Sequence, residues 1–110
     1  MQGDRRGGAP TLIIDTCLAV CQAAVVRGEA IVASASEPME RGHQERLALM
    51  VAEVVAAAGV SFAEIARIAV TVGPGSFTGL RVGVAFAKGL RLATGAALRR
   101  VARLNHIAGA

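Results

Sequence analysis

The 110 residues predict an α/β domain, a mixed sheet with helices packed on it in the order β-β-β-α-β-α-β. Two observations lead there. Three short β-leaning runs come before any helical pattern, and "RIAVTV" (67–72) then stands alone between two stretches of helical period. Composition supplies a third. The chain is 54% hydrophobic but only 3% aromatic, so one modest core must be built from Ala, Val, Leu and Ile.

"TLIIDT" (11–16) is a continuous apolar run closed by Asp and Thr, the pattern of a buried strand. "VCQAAVV" (20–26) and "AIVASA" (30–35) flank the short turn "RGE", which makes them a hairpin. Leu47, Met50, Val51, Val54 and Ala58 then recur on one helical face, and Gly59 is a suitable stop. Ser61 and Glu64 have capping-box spacing and open a brief helical turn. Residues 67–72 form the fourth strand, 77–93 a second helix, and "ALRRV" (97–101) begins a fifth strand. Residues 1–10 read as a disordered tail, with 11–110 as the folded unit.

Several function classes are excluded or weakened at this level. The longest apolar stretch, 47–60, is too short to cross a bilayer and carries Glu53. "MQGDRRGGAP" has no following apolar region with a cleavage site, so no secretory signal is visible and the expected location is cytoplasmic. Residues 11–98 balance seven basic against seven acidic side chains, so the net charge of +4 comes from the ends. Arg5, Arg6, Arg99, Arg100 and Arg103 therefore read as solvated tails rather than an RNA-binding surface. Cys17 and Cys21 read as reduced core thiols. Only His43 and His106 could join them around zinc, at no suitable spacing, and no metal site is expected.

The loop "GPGSFTG" between the fourth strand and the second helix has the look of a phosphate cradle, since free N–H groups and the helix dipole both favour an anion there. It fits neither common phosphate motif. Counting from Gly73, the glycine that the Walker A and dinucleotide patterns both need falls on Thr78. Lys88 lies about three turns inside the helix, out of reach. The same helix instead carries a stripe of small residues, Gly79, Gly83 and Ala87, beside Val82, Phe86 and Leu90, with Arg81, Lys88 and Arg91 on the opposite edge. Glycine within a helix costs about 1 kcal/mol relative to alanine, so the stripe needs a reason. Either the helix packs closely on its own sheet, or part of it docks against another chain.

"GPGSFTGLRVGVAFAKGL", together with "LIIDTCLAVCQAAV" and the intervening "HQERLALMVAEVVAAAGVSFAEIARIAV", resembles the TsaB (YeaZ) family over residues 11–98. The related catalytic subunit TsaD shares the GPG loop, and SFTGLR favours TsaB. The resemblance implies an actin-like ATPase fold made of two ribonuclease-H-like lobes, of which this chain would be the N-terminal one. Asp15, Thr16 and Gly73 to Ser76, including Gly75, would face a nucleotide cleft. TsaB is regarded as the non-catalytic partner of TsaD, which works with the ATPase TsaE to place a threonylcarbamoyl group on the tRNA adenosine beside the anticodon. The expectation is therefore a scaffold subunit with no catalytic residue and no tightly bound cofactor, ATP acting at the level of the complex and tRNA engaged indirectly.

Its TsaD-facing surface would comprise Leu47, Met50, Val51 and Val54 on the first helix with Gly79, Arg81, Gly83 and Ala87 on the second. The uncovered sheet edges would also permit a homodimer. Family members are about twice this length, so the second lobe is expected to be missing. "LRRVARLNHIAGA" departs from the family's usual apolar strand, and Ala110 stands where TsaD has the second of two metal-binding histidines. The alternative reading is a small actin- or sugar-kinase-like phosphotransferase using Asp15. A peptidase is disfavoured, because Ser76 and His43 stand in no known nucleophile motif.

Overall fold

A computed structural model describes residues 8–16, 20–38, 43–71 and 77–101, with residues 43–45 and 77–80 described for the backbone alone. The order is that expected: β1 (Thr11–Asp15), β2 (Val20–Arg27), β3 (Ala30–Pro38), α1 (His43–Ala57), a 3-10 turn (Phe62–Glu64), β4 (Arg67–Thr71), α2 (Phe77–Thr94) and β5 (Ala97–Val101). They form one five-stranded sheet in the order β3-β2-β1-β4-β5. The first three strands are an antiparallel meander, while β4 runs parallel to β1 and β5 parallel to β4. The sheet is therefore mixed, and β1 is the strand at which pairing changes from antiparallel to parallel.

That central position explains the composition of β1. Leu12 and Ile14 are fully buried beneath the helices, and Ile13 is buried on the other face with Ala24. A strand enclosed on both sides needs an uninterrupted apolar run rather than alternation. On the edge, β3 alternates between exposed and half-buried positions, and Ile31 and Val32 stand open to solvent.

Both helices lie over one face. α1 crosses β2 and β3, and α2 crosses β4, β1 and β5. Leu47, Met50, Val51, Val54 and Val55 of α1 join Leu12, Ile14, Val25, Ile68, Val70 and Ala87 in a single core. Each such aliphatic side chain gains about 1.5–3 kcal/mol by leaving water, which is why the helical period of α1 is so regular. α1 ends where Gly59 adopts φ 76°, a left-handed conformation that side-chain-bearing residues enter at a cost. In the following turn the Ser61 N–H donates to Glu64 Oε1 at 2.7 Å, one half of the expected capping box. Arg46 ties α1 to β3 through a two-pronged pair with Glu37, both contacts at 2.6 Å. The Arg46 hydrogen bond holds the Glu37 carboxyl below the usual carboxylate range.

β5 does form, arginines included. The α2–β5 corner is closed by Gly95 N–H donating to Arg91 O at 2.7 Å. Thr94 Oγ1 donates to Leu90 O at 2.9 Å and accepts from Ala96 N–H at 3.2 Å. Ala97 N–H then donates to Ala66 O, which starts the parallel ladder. As an edge strand, β5 keeps Arg99 and Arg100 exposed, so they sit in folded backbone rather than in a solvated tail. Leu98 packs inward. Among the described residues, no helix is long and apolar enough to cross a membrane.

Candidate functional site

Parallel pairing of β1 with β4 brings their carboxyl ends together, the place where open α/β sheets build ligand crevices. Here the two apolar runs end in polar residues that are nevertheless buried: Asp15 is 3% exposed, and Thr16 and Thr71 are fully enclosed. The Thr71 hydroxyl donates to Asp15 Oδ1 at 3.0 Å. Burying a carboxyl group is costly unless it is hydrogen-bonded, and Thr71 supplies that bond from the neighbouring strand. Thr71 was not singled out in the sequence. The signal was there, since "RIAVT" repeats the apolar-run-then-polar pattern of "TLIID".

Strand alternation separates the two neighbours. Asp15 and Thr71 share the face of Ile13 and Ala69, while Thr16 points toward α2. There it meets Gly83: a Cβ built on Gly83 would overlap Thr16 Oγ1 well inside van der Waals contact. The helix backbone thus rests on the end of β1, and only a residue without a side chain fits. Gly73, Gly75 and Ser76, expected at the nucleotide cleft, lie outside the described residues.

The expected partner face needs correction. Leu47, Met50 and Val51 are fully buried in the chain's own core, with Val54 almost so, and Gly83 and Ala87 are turned onto the sheet. Their apolar stripes are covered by the sheet, α1 over β2 and β3 and α2 over β4, β1 and β5, which leaves them no surface to offer another chain. Arg81 is exposed as expected, and Gly79 lies in the first turn of α2. The outward helix surface presents Leu49, 54% exposed, which the periodicity argument passed over because it falls off the core stripe.

Among the described residues, no three of His, Cys, Asp and Glu gather as metal ligands. Cys21 is buried and free, and burial, reinforced by Glu37, pushes its thiol up to about 11, so it stays protonated at neutral pH. Cys17 lies outside the described residues.

Residues 31–110 match the family model described as TsaD, tRNA N6-adenosine threonylcarbamoyltransferase. The chain belongs to this family. Relatives of two kinds are found. A tRNA N6-adenosine threonylcarbamoyltransferase of Caulobacter vibrioides is 45% identical over 69 residues, covering 63% of this chain and 18% of that protein. The tRNA threonylcarbamoyladenosine biosynthesis protein TsaB of Escherichia coli is 37% identical over 81 residues, covering 74% of this chain and 35% of TsaB. Among solved structures, YeaZ from Pseudomonas aeruginosa superposes with a TM-score of 0.78 at 31% identity, over 87% of this chain and 45% of YeaZ. The resemblance to TsaB read from GPGSFTGLR therefore holds, and so does the actin-like, ribonuclease-H-like fold it implied. The chain spans about a fifth of that TsaD relative, about a third of E. coli TsaB and about half of YeaZ, and the matched part corresponds to the N-terminal lobe.

Proposed function

We propose that this lobe acts as a TsaB-like, non-catalytic component that supports a TsaD-like partner in placing a threonylcarbamoyl group on the tRNA adenosine beside the anticodon. The carrying observation is the state of Asp15. A phosphotransferase needs that carboxylate open to magnesium and phosphate, whereas here it is buried and occupied by Thr71. The phosphotransferase alternative is weaker for the same reason. On this reading a TsaE-like ATPase brings ATP to the complex, the chain itself holds no cofactor tightly, and assembly takes place in the cytoplasm. The second lobe of such a subunit would lie beyond the residues matched here.

With the core stripes turned inward, partner contact shifts to the outward helix faces, around Leu49 on α1 and Arg81 on α2. Self-association through the open β3 edge is the competing use of exposed apolar surface, and it is read in the same experiment. Tagged protein is mixed with a TsaD-like subunit of the same organism and analysed by pull-down and size exclusion. Leu49→Glu should lose the partner while keeping its circular dichroism spectrum, and Arg81→Ala should act through salt dependence. Partner binding unaffected by Leu49→Glu, or a homodimer that excludes the partner, would count against the proposed surface.

A further inference from the structure

The charge excess assigned to the termini proves, at one end, to be part of the fold. Lys88 and Arg91 stand three apart on α2, and Arg100 on β5 faces them across a groove of about 550 Å³ that Leu92 and Leu98 also line. Among the described residues that line it, none is acidic. Among the described residues, none of these three cations makes an ion pair; the one salt bridge is Arg46 with Glu37, on the far side of the sheet order. Arg99, also exposed, alternates to the other face of the sheet and lies outside the groove. The hydrogen-bonded Thr94–Gly95 corner connects the two walls of the groove, α2 and β5.

We infer that this groove binds the phosphate backbone of RNA. Like charges brought together without counter-charges repel one another, and a polyanion relieves that repulsion while releasing its own counterions. Leu92, 84% exposed, supplies an apolar surface beside the cations against which a ribose or base can lie. The choice of RNA over other polyanions rests on the tRNA-modification reading above. The contact would be sequence-independent, serving to position the nucleic acid rather than to read it.

The test is a fluorescence-anisotropy titration of the full chain against an unmodified tRNA transcript across about 50–200 mM salt. The Lys88→Ala/Arg100→Ala double variant should bind at least about tenfold more weakly, and its slope of log affinity against log salt should flatten by about one for each cation removed. Both side chains are exposed, so circular dichroism should be unchanged. Arg67→Ala, exposed on the opposite sheet face, is the control and should bind like the parent. The inference is overturned by a parent chain that does not bind tRNA, by an unchanged slope in the double variant, or by an equal loss in Arg67→Ala. Binding to phosphatidylglycerol vesicles but not to tRNA would overturn it too. Because partner capture is measured without RNA, the two readings fail separately.

Discussion

Gly83→Leu is expected to destabilise the fold itself rather than to detach a partner. The helix lies so close to the end of β1 that even a methyl group at residue 83 would strike Thr16 Oγ1, and Thr16 is itself fully buried. Overpacking of this kind costs about 1–3 kcal/mol, and a leucine lies at the upper end of that range. In a domain of this size each kcal/mol lowers Tm by about 4–8 °C. Gly89 is the internal comparison. It lies on the same helix with open space where its Cβ would be, so Gly89→Ala should gain up to about 1 kcal/mol from helix propensity. Thermal unfolding followed by circular dichroism separates the two. A Gly83→Leu protein melting with the parent would mean that α2 does not cross β1 at Thr16.

Met50→Ala should be comparably damaging, for a different reason. Met50 is fully enclosed between α1 and the sheet, and truncating a buried side chain of that size costs about 2–5 kcal/mol through lost burial and the cavity left behind. Natural domains hold only about 5–15 kcal/mol in total, so the loss is a large share. The adjacent Leu49→Ala should cost far less, about 0.5 kcal/mol, since more than half of that residue is already in water. Urea unfolding of the two variants checks the contrast. Equal effects would show that α1 is rotated relative to the arrangement described here.

These two substitutions mark the limit of what could be read in advance. The sequence pattern was sufficient to find β1, because a strand buried on both faces has to be written as "LII" without a polar break. It was sufficient for both helices, whose apolar period is set by the face they bury. Periodicity identifies an apolar face but not what covers it, so a stripe against the chain's own sheet and a stripe awaiting a partner look alike. That is why Leu47, Met50, Val51, Val54, Gly83 and Ala87 were expected at an interface and are found inside. The Asp15–Thr71 bond was illegible for a related reason. It joins residues 56 apart in sequence, and only the parallel register of β1 with β4 makes them neighbours. Arg99 and Arg100 were misread because charge argues against a buried strand yet is well suited to an edge one. A run of the same composition in a central position would not have formed.

The central claim is that this lobe supports threonylcarbamoyl transfer without performing phosphoryl or acyl chemistry at Asp15. Mass spectrometry of tRNA nucleosides tests it most directly, after incubation with a TsaD-like subunit, a TsaE-like ATPase, ATP and a threonylcarbamoyl donor. Asp15→Asn is the deciding variant, since the amide keeps an oxygen for the Thr71 hydroxyl while removing the carboxylate. The account predicts threonylcarbamoyladenosine only when chain and partner are both present, at undiminished yield with Asp15→Asn. Turnover of ATP by the chain alone, abolished together with tRNA modification in Asp15→Asn, would contradict it.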